Sequence, residues 1–267
     1  MLAATLAAGE VAVIGPAAPT AAEATALREL RHYVAQAAPA GFVTADGIAD
    51  VEFHVGNTAA AAALGLDLAT LAEDEYVIRS SGNRIVIVGG GSRGTLYGVY
   101  RFLEKYLQIH WLAPSVEVVP VHADTVALDT LDERVRPRFD YRAIFPDTAS
   151  NDDGGAFAVR NGLNGYGTLG ISPQYGGAMR FGSPDHCHTF DLYFPEAEYK
   201  AAHPEYFALV GHRRVGGQFT GQICLTNPEV LRLTIANLKQ YIEADEAAAA
   251  RAGLPPPAMY EISQNDN

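Results

Sequence analysis

Residues 75–114 read EYVIRSSGNRIVIVGGGSRGTLYGVYRFLEKYLQIHWLAP. Two β-rich runs, 75–79 and 85–88, flank the polar turn 80–83, the pattern of an antiparallel hairpin. Three glycines, 89–91, end the second run, and Ser92 has the chemistry of a helix N-cap. Leu96, Val99, Leu103 and Leu107 then recur at helical spacing, so one face of that helix is built for burial. The only tryptophan of the chain, Trp111, follows, and Pro114 stops the run.

Gly89, Gly91 and Gly94 also spell G-x-G-x-x-G, the spacing of a dinucleotide-binding turn. Three features count against a nucleotide. The preceding strand belongs to a hairpin, whereas the fingerprint belongs to a parallel crossover. About twenty residues on, where a ribose-binding carboxylate should stand, the chain reads His110, Trp111, Leu112. The run also comes after two earlier strand–helix units. The glycines are therefore read as serving a tight strand-to-helix turn.

Outward from this stretch, 10–14 and 51–55 alternate as strands, 21–38 is an amphipathic helix ended by Pro39, and 59–64 is a short Ala-rich helix. His54, in mid-strand, reads as a structural histidine. Residues 1–122 are thus expected to form a small mixed α/β domain with helices on one side of its sheet. Residues 123–136, Val-rich and acidic, read as an extended connector or edge strands.

From Pro137 the expected order is strand 137–145, helix 152–163, strand 166–169, a long Gly/Pro/aromatic loop 170–195, strand 222–226, helix 228–251 and strand 259–263. Strand–helix alternation with long loops after strands is the sequence form of a β/α barrel. The fold class read here is α/β: the small domain followed by the first half of a (β/α)8 barrel over 137–267. About four strands leave an unpaired sheet edge, so the chain is expected to be truncated.

The net charge of −12 argues against nucleic acid and anionic membranes as partners. No apolar run reaches membrane-spanning length. Residues 1–8 lack the basic start of a signal peptide, which leaves a cytoplasmic protein or a chain that begins after its leader. Two cysteines, Cys187 and Cys224, make no disulfide framework.

Two segments carry a resemblance. The run 91–103 followed by 111–114 resembles the end of the small N-terminal domain of α-glucuronidases (glycoside hydrolase family 67) and β-N-acetylhexosaminidases (family 20). The run 137–142, with Asp147 five residues after Arg142, is similar to the first barrel strand of family 20. Motifs like 203–209, 224–229 and 263–267 are those of a mostly bacterial family, domain of unknown function 4838. The resemblance implies a glycosidase-like architecture, an oligo- or polysaccharide substrate, no cofactor, and an extracellular or periplasmic setting.

Reacting groups of a β/α barrel sit at the carboxyl ends of its strands. That rule selects Arg142 and Asp147 after the first strand, Asn227 after the third, and Asn265 and Asp266 after the fourth. Glycoside hydrolysis uses one carboxyl as acid and a second as base or nucleophile. Asp266 corresponds by topology to the acid of family 20, although the Asp-Glu pair of that family is here Asn265, Asp266, Asn267. The second carboxyl is expected beyond residue 267. By resemblance Arg142 would donate to sugar hydroxyls; the alternative is an ion pair with Asp147.

The run Asp185, His186, Cys187, His188, Thr189 is the one cluster with metal-like chemistry. On an extended segment its histidines would share a side and Cys187 would point away. No metal is expected; His188 and the neighbouring aromatics Phe190, Tyr193 and Phe194 are read as lining the sugar site. The function read from the sequence is a glycoside hydrolase using paired carboxylates, and the alternative is a glycan-binding protein without catalysis.

Overall fold

A computed structural model describes residues 4–6, 9–38, 41–44, 47–122, 126–128, 130–144, 152–166 and 170–266. The chain divides into two compact units, Met1–Ala178 and Met179–Asn267.

In the first unit, β1 (Ala4–Leu6), β2 (Glu10–Ile14), α1 (Ala21–Ala37), β3 (Gly41–Val43), β4 (Val51–Val55) and α2 (Ala59–Ala63) lead into the hairpin β5 (Tyr76–Ser81) and β6 (Arg84–Gly89). Then come α3 (Gly94–Leu107), β7 (His110–Ala113), β8 (Val116–Val118), β9 (Val126–Leu128), β10 (Asp132–Val135), β11 (Ala143–Ile144), α4 (Asp152–Arg160) and β12 (Gly165–Tyr166). A six-stranded sheet has the order β10-β5-β6-β4-β2-β3. The hairpin is antiparallel, with Ile78 opposite Ile87, and β6, β4, β2 and β3 run parallel. β10 pairs antiparallel with β5 as one edge strand, so part of the expected connector belongs to the sheet.

The period of two along the strands divides two faces. Val13, Phe53, Val55, Ile78, Ile85 and Ile87 pack with Leu30 and Val34 of α1 and with Leu96, Val99, Phe102 and Leu103 of α3. Val77, Val86 and Val88 face the other way and meet Ala61 of α2. The expectation of helices on one side is corrected here: α2 lies on the second face of the hairpin, and Leu64, Leu66, Leu68 and Leu71 that follow it complete the cover. Local capping explains where these helices start. Thr20 and Glu23 form a reciprocal capping box on α1, and Thr58 accepts from Ala61 N–H on α2.

The start of α3 differs from the sequence reading. Arg93, without a side-chain cap, is the N-cap residue, and the Ser92 hydroxyl donates to Glu73. The glycines serve close backbone approach: a Cβ on Gly89 would lie 2.1 Å from the carbonyl carbon of Gly94, and one on Gly90 would lie 2.3 Å from the Ala72 oxygen. The Ser92 N–H of this loop is given to the Glu73 carboxylate at 3.1 Å, an anion supplied by the protein itself. His54 pairs with Glu52 at 3.1 Å, in keeping with a structural role.

β11, α4 and β12 form a strand–helix–strand unit with parallel pairing, Ala143 opposite Gly165. The expected strand 137–145 is thus two residues long among the described residues.

The second unit carries α5 (Phe190–Tyr193), α6 (Glu196–Tyr199), the hairpin β13 (Ala208–Val210) and β14 (Arg213–Val215), and α7 (Pro228–Ala252). Its core gathers Phe194, Tyr206, Phe207, Ile223 and Val230. The segments 222–226 and 259–263, expected as strands, make only isolated bridges, Phe207 with Ile223 and Phe181 with Met259. Around those bridges a few backbone bonds remain, Ala208 N–H to the Gln222 carbonyl and Cys224 N–H to the Tyr206 carbonyl, both at 2.8 Å, and side chains add others. Gln222 and Thr189 take the backbone groups of Asn265 and Ser263 that a neighbouring strand would otherwise pair. Among the described residues no helix is long and apolar enough to cross a membrane.

Candidate functional site

The residues picked out by sequence divide between the two units. Arg142 lies in the first, just before β11. Its Nε donates to the Gly162 carbonyl at 2.7 Å, Nη1 to the Phe139 carbonyl at 2.7 Å, and Nη2 to Asp74 at 2.9 Å. Its guanidinium also lies over the Tyr97 ring, 5.6 Å from the centroid. Asp74 is 2% exposed and accepts in addition from Arg93 Nε at 2.8 Å and Asn164 Nδ2 at 3.0 Å. Two guanidinium groups and an amide around one carboxylate meet the requirement that a buried charge be paired and hydrogen-bonded. The ion partner of Arg142 is thus Asp74, 68 positions earlier; Asp147, offered by the sequence as that partner, lies outside the described residues.

Arg142 also lines a cavity of about 340 Å³ with Tyr76, Tyr97, Tyr100, Arg101 and Arg160. Burial raises the Tyr76 phenol to about 12 and pushes Tyr97 and Tyr100 up as well. These hydroxyls are therefore neutral donors at ordinary pH. Arg160, in turn, is tied to Glu29 at 2.9 Å.

His188, Asn265 and Asp266 come together in the second unit, where the segment 261–266 docks against 188–191. The N–H groups of Thr189 and Phe190 donate to the Ser263 carbonyl at 3.2 and 3.0 Å. The Thr189 hydroxyl donates to the Glu261 carbonyl at 3.0 Å and accepts from Ser263 N–H at 3.0 Å. His188 adopts φ 52°, a left-handed conformation uncommon outside glycine. Its Nδ1 lies 3.1 Å from the Gln264 carbonyl.

Asn265 is 2% exposed and fixes the segment. Its Oδ1 accepts from Asp191 N–H at 2.9 Å, its Nδ2 donates to the Gly221 carbonyl at 2.9 Å, and its backbone exchanges two bonds of 3.0 Å with the Gln222 amide. Every polar group of Asn265 named here is used by the protein. Asp266, one residue on, is exposed, so a rigid support presents a carboxylate to solvent. Asn227 caps α7, accepting from Glu229 N–H at 2.9 Å, with Pro228 at the first helical position.

Cys187, half-buried and without a disulfide, lies among carboxylates. Burial and then the charges of Asp185, Glu261 and Asp266 push its thiol up. Cys224, by contrast, is held down, first by the Thr226 hydroxyl beside it. Asp185 Oδ1 lies 2.7 Å from His186 Nδ1. One donor atom from each of Asp185, His186 and Cys187 lies within 4.8 Å of the others, so these three could hold a metal ion. The extended reading, with Cys187 turned away from the histidines, is corrected. The backbone bends at residues 186 and 187, and His188 turns toward Gln264. Sequence reasoning passed over Glu261 and Gln222; Glu261 stands only two residues before the run 263–267 and could have been weighed with it.

Residues 111–267 match the family described as Domain of unknown function (DUF4838), and the chain belongs to that family. Solved structures it is similar to include glycosidases. A family GH115 4-O-methyl-α-glucuronidase, BtGH115A, with specificity for decorated arabinogalactans, aligns with 96% of this chain and 45% of its own at TM-score 0.53 and 14% identity. The β-hexosaminidase of Streptomyces plicatus aligns with 88% of this chain and 41% of its own at TM-score 0.40 and 15% identity. The GH20 exo-β-N-acetylglucosaminidase of Vibrio harveyi aligns with 61% and 22% at TM-score 0.37 and 21% identity. The chain spans less than half the length of the GH115 enzyme. No curated protein sequence matches it.

Proposed function

We propose that this chain belongs to a carbohydrate-active protein that cleaves a glycosidic bond with paired carboxylates and no cofactor. The observation that carries the reading is the fold likeness to the GH115 glucuronidase, which extends over 96% of the chain. We read the β11–α4–β12 unit as the opening of a β/α barrel. Asp266 is the proposed general acid: it is exposed and adjoins the fixed Asn265. Asn265 holds the segment that carries Asp266, and His188 is read as lining the sugar site.

Turnover of aryl glycosides of hexuronic acids and N-acetylhexosamines tests this. Asp266→Asn keeps the shape and removes the proton, so turnover should fall by about two to four orders of magnitude on a poor leaving group. The loss should shrink on a very acidic leaving group, which needs little protonation. Equal loss on both, or none, removes Asp266 from the acid's role. The solvent exposure of Asp266 favours one rival, glycan binding without turnover. Saturable binding of a glycan with no hydrolysis by wild-type protein would establish the rival.

A further inference from the structure

The chain places an aspartate, a histidine and a thiol in direct succession at 185–187, and their donor atoms converge within 4.8 Å. An extended strand would send alternate side chains to opposite sides. Convergence here depends on the bends at 186 and 187 and on the left-handed His188 that follows them. Asp185 Oδ1 accepts the His186 N–H at 2.6 Å and also meets the ring Nδ1 at 2.7 Å. That carboxylate fixes the orientation of the imidazole, as carboxylates do for metal-ligating histidines through the opposite ring nitrogen. Cys187 is in no disulfide, so its sulfur is available as a donor.

We propose that Asp185, His186 and Cys187 form a binding site for a divalent cation of the zinc class. The donor set selects the ion. Thiolate and imidazole suit zinc and its neighbours, whereas magnesium and calcium require oxygen donors. Three protein groups leave a fourth position open, as in sites where zinc keeps a water or a substrate group. Asp185 orients His186 through the oxygen on its ring nitrogen and offers its other oxygen to the ion, so its loss weakens the site on both counts. The proposal goes beyond the carbohydrate reading and does not rest on it, because its readout is spectroscopic.

Cobalt(II) titrated into chelator-treated protein is the probe. Wild-type protein should bind one equivalent, develop a thiolate-to-cobalt charge-transfer band in the near ultraviolet, and lose it when zinc is added. Cys187→Ser should abolish that band, and Cys224→Ser should retain it with the same intensity. Asp185→Asn should weaken cobalt binding by about 10–100-fold, the usual effect of removing a carboxylate that supports a metal-bound histidine. Thermal melts of the variants verify that each is folded. No band in wild-type protein, a band that survives Cys187→Ser, or one that disappears with Cys224→Ser overturns the proposal.

Discussion

Asp74 in the first unit and Asp266 in the second are both carboxylates beside an asparagine. Asp74 is 2% exposed and meets Arg93, Arg142 and Asn164 at 2.8, 2.9 and 3.0 Å. Asp266 is exposed, and it is its neighbour Asn265 that takes the buried bonds. In the first case the charge is itself the fastener, and it needs its full set of partners because burial without them is expensive. In the second, anchoring and charge are assigned to successive residues. A carboxylate whose segment is already held can change protonation or bind a ligand without loosening the fold. The contrast is why Arg142, with its fork committed to Asp74 and to backbone carbonyls, is part of the structure's support, whereas Asp266 is a candidate for chemistry.

The comparison breaks most visibly at Asp74. Asp74→Ala leaves Arg93 and Arg142 facing one another without their common anion, and should cost about 3–5 kcal/mol, the range for breaking a buried ion pair. Urea unfolding measures it; a loss below about 1 kcal/mol, the scale of an exposed pair, would mean that the cluster is an idle surface network.

A smaller effect separates the two residues of the second region. Asn265→Ala removes the acceptor for Asp191 N–H and the donor to the Gly221 carbonyl, and should cost about 1–3 kcal/mol because buried groups are left unpaired. Asp266→Asn should stay within about 0.5 kcal/mol, as exposed substitutions do. Matching losses in the two variants would erase the division between anchor and presented charge.

The smallest effect concerns Asn227. Asn227→Ala should lose about 1 kcal/mol, the value of an N-cap, and should leave glycan affinity unchanged. Calorimetry of ligand binding beside a thermal melt checks both parts; a fall in affinity at constant stability would return Asn227 to the sugar site.

Much of the first unit was legible in advance for a local reason. The hairpin 76–89 and the helix 94–107 declare themselves through alternation and helical spacing within a few residues, because each needs only one buried face. The start of α7 was readable at Pro228, but Asn227 just before it, read as a site residue, performs the capping. Reading failed where the partner is far away in sequence. Glu73 and Arg93 at the glycine loop, 20 positions apart, made Ser92 a ligand of Glu73 and left the helix without its expected side-chain cap.

What the sequence alone determined is therefore the set of elements that hydrophobic periodicity can specify, together with the family and the segment 263–267 that carries its motif. The tertiary structure alone decided which charges are anchors and which are presented. Periodicity reports one residue's preference for burial, whereas the role of a charge depends on the partners that folding brings to it. Asp74 meets Arg142 across 68 positions, and Asn265 meets Gln222 across 43. The strands expected at 222–226 and 259–263 follow the same rule, because a β-strand exists only where a neighbouring backbone completes its ladder, and there each segment finds a single bridge.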